Sequence, residues 1–100
     1  MAGETFQKIY DFVKEIPVGY VVNYGIVANA INTSSRVIGF ALHSNPDQSN
    51  IPCHRVVFKD GSLAKGFAFG GEDKQREILE KEGIRFDNEG RVLRKYFWEG

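Results

Sequence analysis

Residues 21–44, VVNYGIVANAINTSSRVIGFALHS, carry the signals of two short helices joined by a polar turn. Asn23 is a natural helix N-cap, because its short side-chain oxygen can accept from an unpaired N–H of the first turn. YGIVANAI (residues 24–31) follows, with Ile26, Val27, Ala30 and Ile31 at helical spacing and expected to face inward. The polar run NTSS makes a turn, and RVIGFALHS (residues 36–44) continues as another helix with Val37, Phe40 and Ala41 expected on one face. Two short helices joined by about four residues match a helix-turn-helix, which can insert its second helix into a DNA groove; an ordinary helical hairpin has the same spacing. The outer positions of the second helix, Ser34, Ser35 and Gly39, are small and allow close approach to another surface. Arg36 projects from its first turn, and taken alone it reads as a solvated surface charge.

Upstream, Phe6, Ile9, Tyr10, Val13 and Ile16 recur at helical spacing, so residues 5–16 read as an amphipathic helix ended by Pro17 and Gly19. Residues 18–22 form a short extended link. Downstream, SNPDQSN (residues 44–50) is a loop by composition, and RVVFKDGSLA (residues 55–64) has the β-branched run, Asp-Gly turn and returning strand of a hairpin. GFAFGG (residues 66–71) is glycine-rich but lacks dinucleotide-binding spacing, so no cofactor is expected. Residues 72–82 read as a last helix with an acidic start, burying Ile78 and Leu79 and stopping at Gly83. The tail turns at residues 88–90 and finishes on Tyr96, Phe97 and Trp98.

One hundred residues suit one small domain, and 42% apolar with 26% charged residues is an ordinary globular balance. No apolar run approaches the roughly 20 residues that cross a bilayer. The start MAGETFQKIYDF has neither a basic segment nor a continuous apolar one, so a cytoplasmic protein away from membranes is expected. Formal net charge is zero. Between residues 23 and 66, however, Arg36, Arg55, Lys59 and Lys65 stand against Asp47 and Asp60, a net of +2 that permits an anionic partner.

The single cysteine lies in IPCHR (residues 51–55), beside one of two histidines. It can form no internal disulfide, which suits a reducing compartment. Cys53 is either a small buried hydrophobe or a nucleophile. A thiol attacks as thiolate and needs a base or positive charge nearby. On a regular strand Cys53 and His54 would point to opposite faces, but Pro52 imposes a bend that can turn both toward one pocket, with a carboxylate wanted behind the imidazole. His43, Cys53 and His54 offer three metal ligands without a recognised zinc spacing, so no metal site is expected.

IPCHRVV resembles the active-site signature of the O6-alkylguanine-DNA alkyltransferases, repair proteins that move an alkyl group from damaged guanine onto their own cysteine. VVNYGIVA, SSRVIGFALHSNP, a GG before a helix and LEKEG occur in the same order, so the resemblance covers about residues 5–86. It implies a mainly α fold with a small β part, a winged helix-turn-helix-like DNA-binding domain over residues 1–100 without the family's usual amino-terminal domain. It implies a single-turnover methylated-DNA–protein-cysteine methyltransferase with no cofactor, acting as a monomer on double-stranded DNA that contains O6-alkylguanine. Cys53 would accept the alkyl group, His54 would activate it through water, Glu82 would stand behind His54, and Asn45 would brace the turn. Tyr24 would press on the target phosphate and approach the extruded base, Arg36 would fill the gap left in the duplex, and Ser34, Ser35 and Gly39 would face the minor groove. Arg55 looks structural. Phe67 and Phe69 stand where smaller or polar residues are common in the family, which bears on the size of alkyl group accepted. The length and the tail GRVLRKYFW also resemble the alkyltransferase-like proteins, which flag lesions for excision-repair proteins and usually carry tryptophan at the cysteine position.

Overall fold

Helix α1 spans Ala2–Lys14 in the computed structural model, which describes residues 2–67 and 69–99. Strand β1 (Val22–Asn23) leads directly into α2 (Tyr24–Ile31), then α3 (Ser35–His43), a 3-10 turn (Cys53–Arg55), β2 (Val56–Val57), α4 (Gly71–Lys81) and a second 3-10 turn (Arg94–Tyr96). The helix-turn-helix is made by local chemistry. Asn23 Oδ1 accepts from Ile26 N at 2.9 Å and Ser34 Oγ accepts from Val37 N at 3.2 Å, so both helices begin on a side-chain cap. Between them Asn32 takes the left-handed conformation (φ 64°, ψ 52°) that asparagine tolerates, and Thr33 N–H donates back to Ala28 O at 2.9 Å.

β1 and β2 pair in parallel, with Val22 opposite Val56 and Asn23 opposite Val57. Successive side chains of a strand point to opposite faces, and the two-stranded sheet therefore separates two cores. Val22 and Val56 join Ile9, Val13, Ile38 and Ala41 under the helices. Val21 and Val57 join Leu63, Leu79, Ile84 and Val92 on the other side. The tail closes the second core through paired bonds, Val21 N–H to Tyr96 O and Trp98 N–H to Val21 O. The expected turn near residue 88 is present, bracketed by an antiparallel bridge between Phe86 and Val92.

Three expectations about faces are corrected. On α2, Val27 and Ala28 are buried while Ile26 and Ala30 are exposed. On α3 the buried residues are Ile38, Ala41 and Leu42, whereas Phe40 is 56% exposed and Val37 is only half-buried. In helices of eight and nine residues the apolar spacing fits two neighbouring faces, and packing against α1 selects between them. On α4 it is Leu79 with Gln75 that is buried, and Ile78 is intermediate.

The expected hairpin at residues 55–64 is half right. The turn forms, with Gly61 N–H donating to Phe58 O at 2.8 Å and Phe58 N–H to Ser62 O at 3.0 Å. No returning strand follows, because its donors are taken elsewhere: Ser62 N–H by Asp60 Oδ1 and Ala64 N–H by Gln75 Oε1. Gly61, at φ 90°, lies so close to the tail that a Cβ would sit 2.7 Å from Val92 O. β2 is thereby committed to β1.

Candidate active site

The loop between α3 and β2 is held by one buried side chain. Asn45 Nδ2 donates to Ile51 O at 2.8 Å while its Oδ1 accepts from Asp47 N–H at 2.9 Å. The chain then reaches Pro52, whose φ of −76° and ψ of 68°, with Cys53 N–H donating to Ile51 O at 2.8 Å, make an inverse γ-turn. Cys53 and His54 follow in a 3-10 turn, so the opposite-face rule for strands does not apply to them. The bend expected from Pro52 is present.

Cys53 is 3% exposed, yet it lines a cavity of about 180 Å³. Leu42, His43 and Gly39 of α3 form one wall, one helical face at i, i+3 and i+4; Tyr24, Phe67 and Gln75 are among the others. His43 Nδ1–H donates to Gly66 O at 3.3 Å and so ties α3 to the glycine-rich segment. Phe67 and Phe69 meet edge to face at 5.8 Å, whereas Ala68 between them lies outside the described residues. Among the described residues no three His, Cys, Asp or Glu side chains gather as metal ligands.

His54 stands behind this cavity and does not line it. Its Nε2–H donates to Glu82 Oε2 at 2.9 Å, which leaves the lone pair on Nδ1, buried and without a hydrogen-bond partner among the described residues. Glu82 caps the carbonyl end of α4, where the helix dipole disfavours a carboxylate. Arg55 compensates with a fork, Nε to Oε1 at 3.0 Å and Nη2 to Oε2 at 2.8 Å, and its Nη1 donates to Ile16 O at 2.7 Å beyond the end of α1. Gln75 Nε2 donates to His54 O at 3.0 Å and to Val56 O at 3.2 Å, fixing the backbone on either side of Arg55.

The electrostatics follow from this burial. Burial pushes the Cys53 thiol up, partly offset by a hydrogen bond from Asn45. Burial pushes the His54 imidazole down, partly offset by Glu82. Burial alone would raise the Glu82 carboxyl, but bonds from Arg55 and His54 outweigh it and hold the group below the usual carboxylate range. The resting site is therefore a neutral thiol, a neutral imidazole with a free basic nitrogen, and a carboxylate behind it. Tyr24 is also pushed up, first by burial and then by Cys53, so it stays a hydroxyl.

Of the residues named from the sequence, the structure brings Cys53, Tyr24 and Gly39 together on the cavity, with Asn45 under the loop and His54 with Glu82 behind it. Ser35 and Arg36 lie instead on a neighbouring groove that shares Tyr24 and Gly39 with the cavity, and Ser34 is engaged as the α3 cap. His43 and Gln75 were not anticipated as lining residues. The four-residue spacing from Gly39 could have revealed His43, but no local signal points to Gln75.

A family model described as the DNA binding domain of 6-O-methylguanine DNA methyltransferase matches residues 4–84. The chain belongs to this family. Its fold is accordingly the mainly helical, winged helix-turn-helix-like one, with Cys53 retained. The methylated-DNA–protein-cysteine methyltransferase of Methanocaldococcus jannaschii is 47% identical over 81 residues, which are 81% of this chain and 47% of that protein. The chain spans about half the length of the curated relatives of that name that it matches. Alkyltransferase-like protein 1 of Schizosaccharomyces pombe is 36% identical over 83 residues, 81% of this chain and 77% of that protein. Among solved structures, S. pombe Atl1 in complex with damaged DNA containing O6-carboxymethylguanine superposes with a TM-score of 0.83 at 31% identity, covering 98% of this chain and 97% of that one. The O6-methylguanine-DNA methyltransferase of Pyrococcus kodakaraensis gives 0.71 at 38% identity, covering 79% and 46%.

Proposed function

We propose that this protein repairs DNA by swinging O6-alkylguanine out of the duplex and moving the alkyl group irreversibly to Cys53. The observation that carries the proposal is a lone thiol at a cavity wall, backed by an imidazole whose basic nitrogen is free and whose other nitrogen is held by a carboxylate. Extruding a base costs a few kcal/mol, which Arg36 offsets by occupying the vacated space in the stack. His54 Nδ1 takes the thiol proton through an intervening water, and Glu82 stabilises the imidazolium that results. The thiolate attacks the alkyl carbon, a C–S bond forms as the C–O6 bond breaks, and the electron pair leaves with guanine. The Tyr24 hydroxyl donates to the leaving base as charge develops there. The thioether has no route to hydrolysis in this site, so each molecule acts once. The decisive experiment incubates the protein with duplex DNA containing O6-methylguanine and follows the Cys53 peptide by mass spectrometry. A methylated Cys53 with loss of the lesion is expected; an unmodified peptide beside intact lesion overturns the proposal.

A second reading, a lesion binder that hands damage to excision-repair proteins, is favoured by one observation. The likeness to Atl1 runs over 98% of this chain, including the tail, against 79% for the Pyrococcus methyltransferase. That reading predicts tight lesion binding without transfer and little loss in Cys53→Ser.

A further inference from the structure

Beside the cysteine cavity runs a second, larger depression of about 570 Å³, lined by Tyr24, Ser35, Arg36, Gly39, Phe58 and Lys59 among others. Its size falls within the range for ligands of nucleotide size, whereas the inner cavity of about 180 Å³ is about a third as large and holds only part of one. Two features mark its chemistry. Among the described residues no acidic side chain lines it, while Arg36 and Lys59 both do. Its wall also carries an aromatic face: Phe58 is 46% exposed although it is a large apolar side chain.

The fold presents that ring rigidly. Phe58 directly follows β2, and its own N–H and C=O are both engaged in the turn with Ser62 and Gly61. Asp60 Oδ1 accepts from both Ser62 N–H and Ser62 Oγ–H, which locks the turn. The ring packs against Tyr24 with centroids 5.2 Å apart and planes tilted by 38°. Tyr24 and Gly39 line both the groove and the cysteine cavity, so the two spaces adjoin, and a Cβ built on Gly39 would meet nothing within 4 Å among the described residues.

We infer that Phe58 is the stacking platform of an outer nucleotide site, where the lesion-bearing nucleotide rests outside the duplex before its base enters the cysteine cavity. The inference rests on the alkyl-transfer reading for the direction of travel, and on the groove itself for its chemistry. An unstacked base has a π-face that an aromatic ring can cover, while Lys59 attracts its phosphates and Arg36 holds the vacated place in the stack. Phe58 is thus a specificity-determining contact for nucleotides that have left the stack, distinct from the groups that touch the reacting atoms.

The test compares Phe58→Leu, which keeps an apolar side chain against Tyr24 without a π-face, with Phe58→Ala and with Phe58→Trp. Two readouts are taken: the affinity ratio between O6-methylguanine duplex and intact duplex, and the single-turnover rate of Cys53 methylation at saturating DNA. The Leu and Ala variants are expected to lose about tenfold in lesion affinity with intact-duplex affinity unchanged, and Trp is expected to restore it. The transfer rate should fall and recover in step. Lesion affinity equal to wild type in Phe58→Leu, or equal losses on lesion and intact DNA, overturns the inference. If the wild type binds lesion DNA but never methylates Cys53, the alkyl-transfer reading fails and the affinity ratio alone still decides the role of Phe58.

Discussion

Replacing Glu82 with Gln removes one charge and keeps the shape. In the wild type the carboxylate accepts three charge-assisted bonds, from His54 at 2.9 Å and from Arg55 at 3.0 and 2.8 Å, with the Glu82, His54 and Arg55 side chains 15%, 7% and 12% exposed. Bonds to a charged group contribute about 1 kcal/mol more than neutral ones, so Glu82→Gln should cost about 3 kcal/mol and lower the melting temperature by about 15 °C. The effect on chemistry is larger. A glutamine can still accept from His54 Nε2–H, but it cannot stabilise an imidazolium, and methyl transfer should slow by about 10²-fold or more. The pH dependence carries the sign. Folding holds both His54 and Glu82 below their ordinary values, so each contributes stability that is present above its unfolded pKa and lost as pH falls. Wild-type stability should therefore drop first below about pH 6.5, where the unfolded imidazole takes up a proton, and again through the carboxylate range. Without Glu82 the upward pull on His54 is gone, so the first drop deepens and the Glu82 share of the second disappears. Thermal denaturation across pH, with single-turnover transfer measured well below each midpoint, tests both statements. Transfer at the wild-type rate by Glu82→Gln, with an unchanged acid limb, would show that the carboxylate does not stabilise the His54 imidazolium.

Arg36→Ala should weaken lesion binding by about 1–2 kcal/mol and intact-duplex binding much less, because its side chain is needed only once a base has left the stack; equal losses in a competition assay would make it a plain phosphate contact. Asn45→Ala leaves Asp47 N–H without its acceptor and frees the loop at Ile51, and should cost about 2 kcal/mol in denaturant unfolding. The same change removes a bond that lowers the Cys53 thiol, so the pH at which iodoacetamide reacts half-maximally should rise. Ile38→Ala, at a fully buried site, should cost about 2–5 kcal/mol, while Phe40→Ser on the outer side of the same helix should stay within about 0.5 kcal/mol. Similar losses at the two positions would mean that α3 is turned differently from the face described.

What was legible in the chain is what nearest neighbours decide. Asn23 caps α2, Pro52 bends the backbone before Cys53, and the tail turns near residue 88, each through contacts within a few residues. A lone cysteine beside a histidine left two readings open, a buried hydrophobe or a nucleophile, and the family resemblance chose between them. The partner of that histidine lies 28 residues away and was reached only through the family resemblance.

Tertiary structure alone decided the rest. It turned Phe40 outward and Ile38 inward, because a nine-residue helix offers two apolar faces and only α1 and the sheet can choose between them. It paired β2 with β1 across two intervening helices instead of with the segment after the Asp-Gly turn, whose donors Asp60 and Gln75 had already taken. It also put His54 behind the cavity wall and His43, Gln75 and Phe58 around the two spaces, where burial moves the thiol up and the imidazole down. Spacing along a chain records periodicity, whereas dielectric, enclosure and the choice of packed face depend on residues brought together from distant positions.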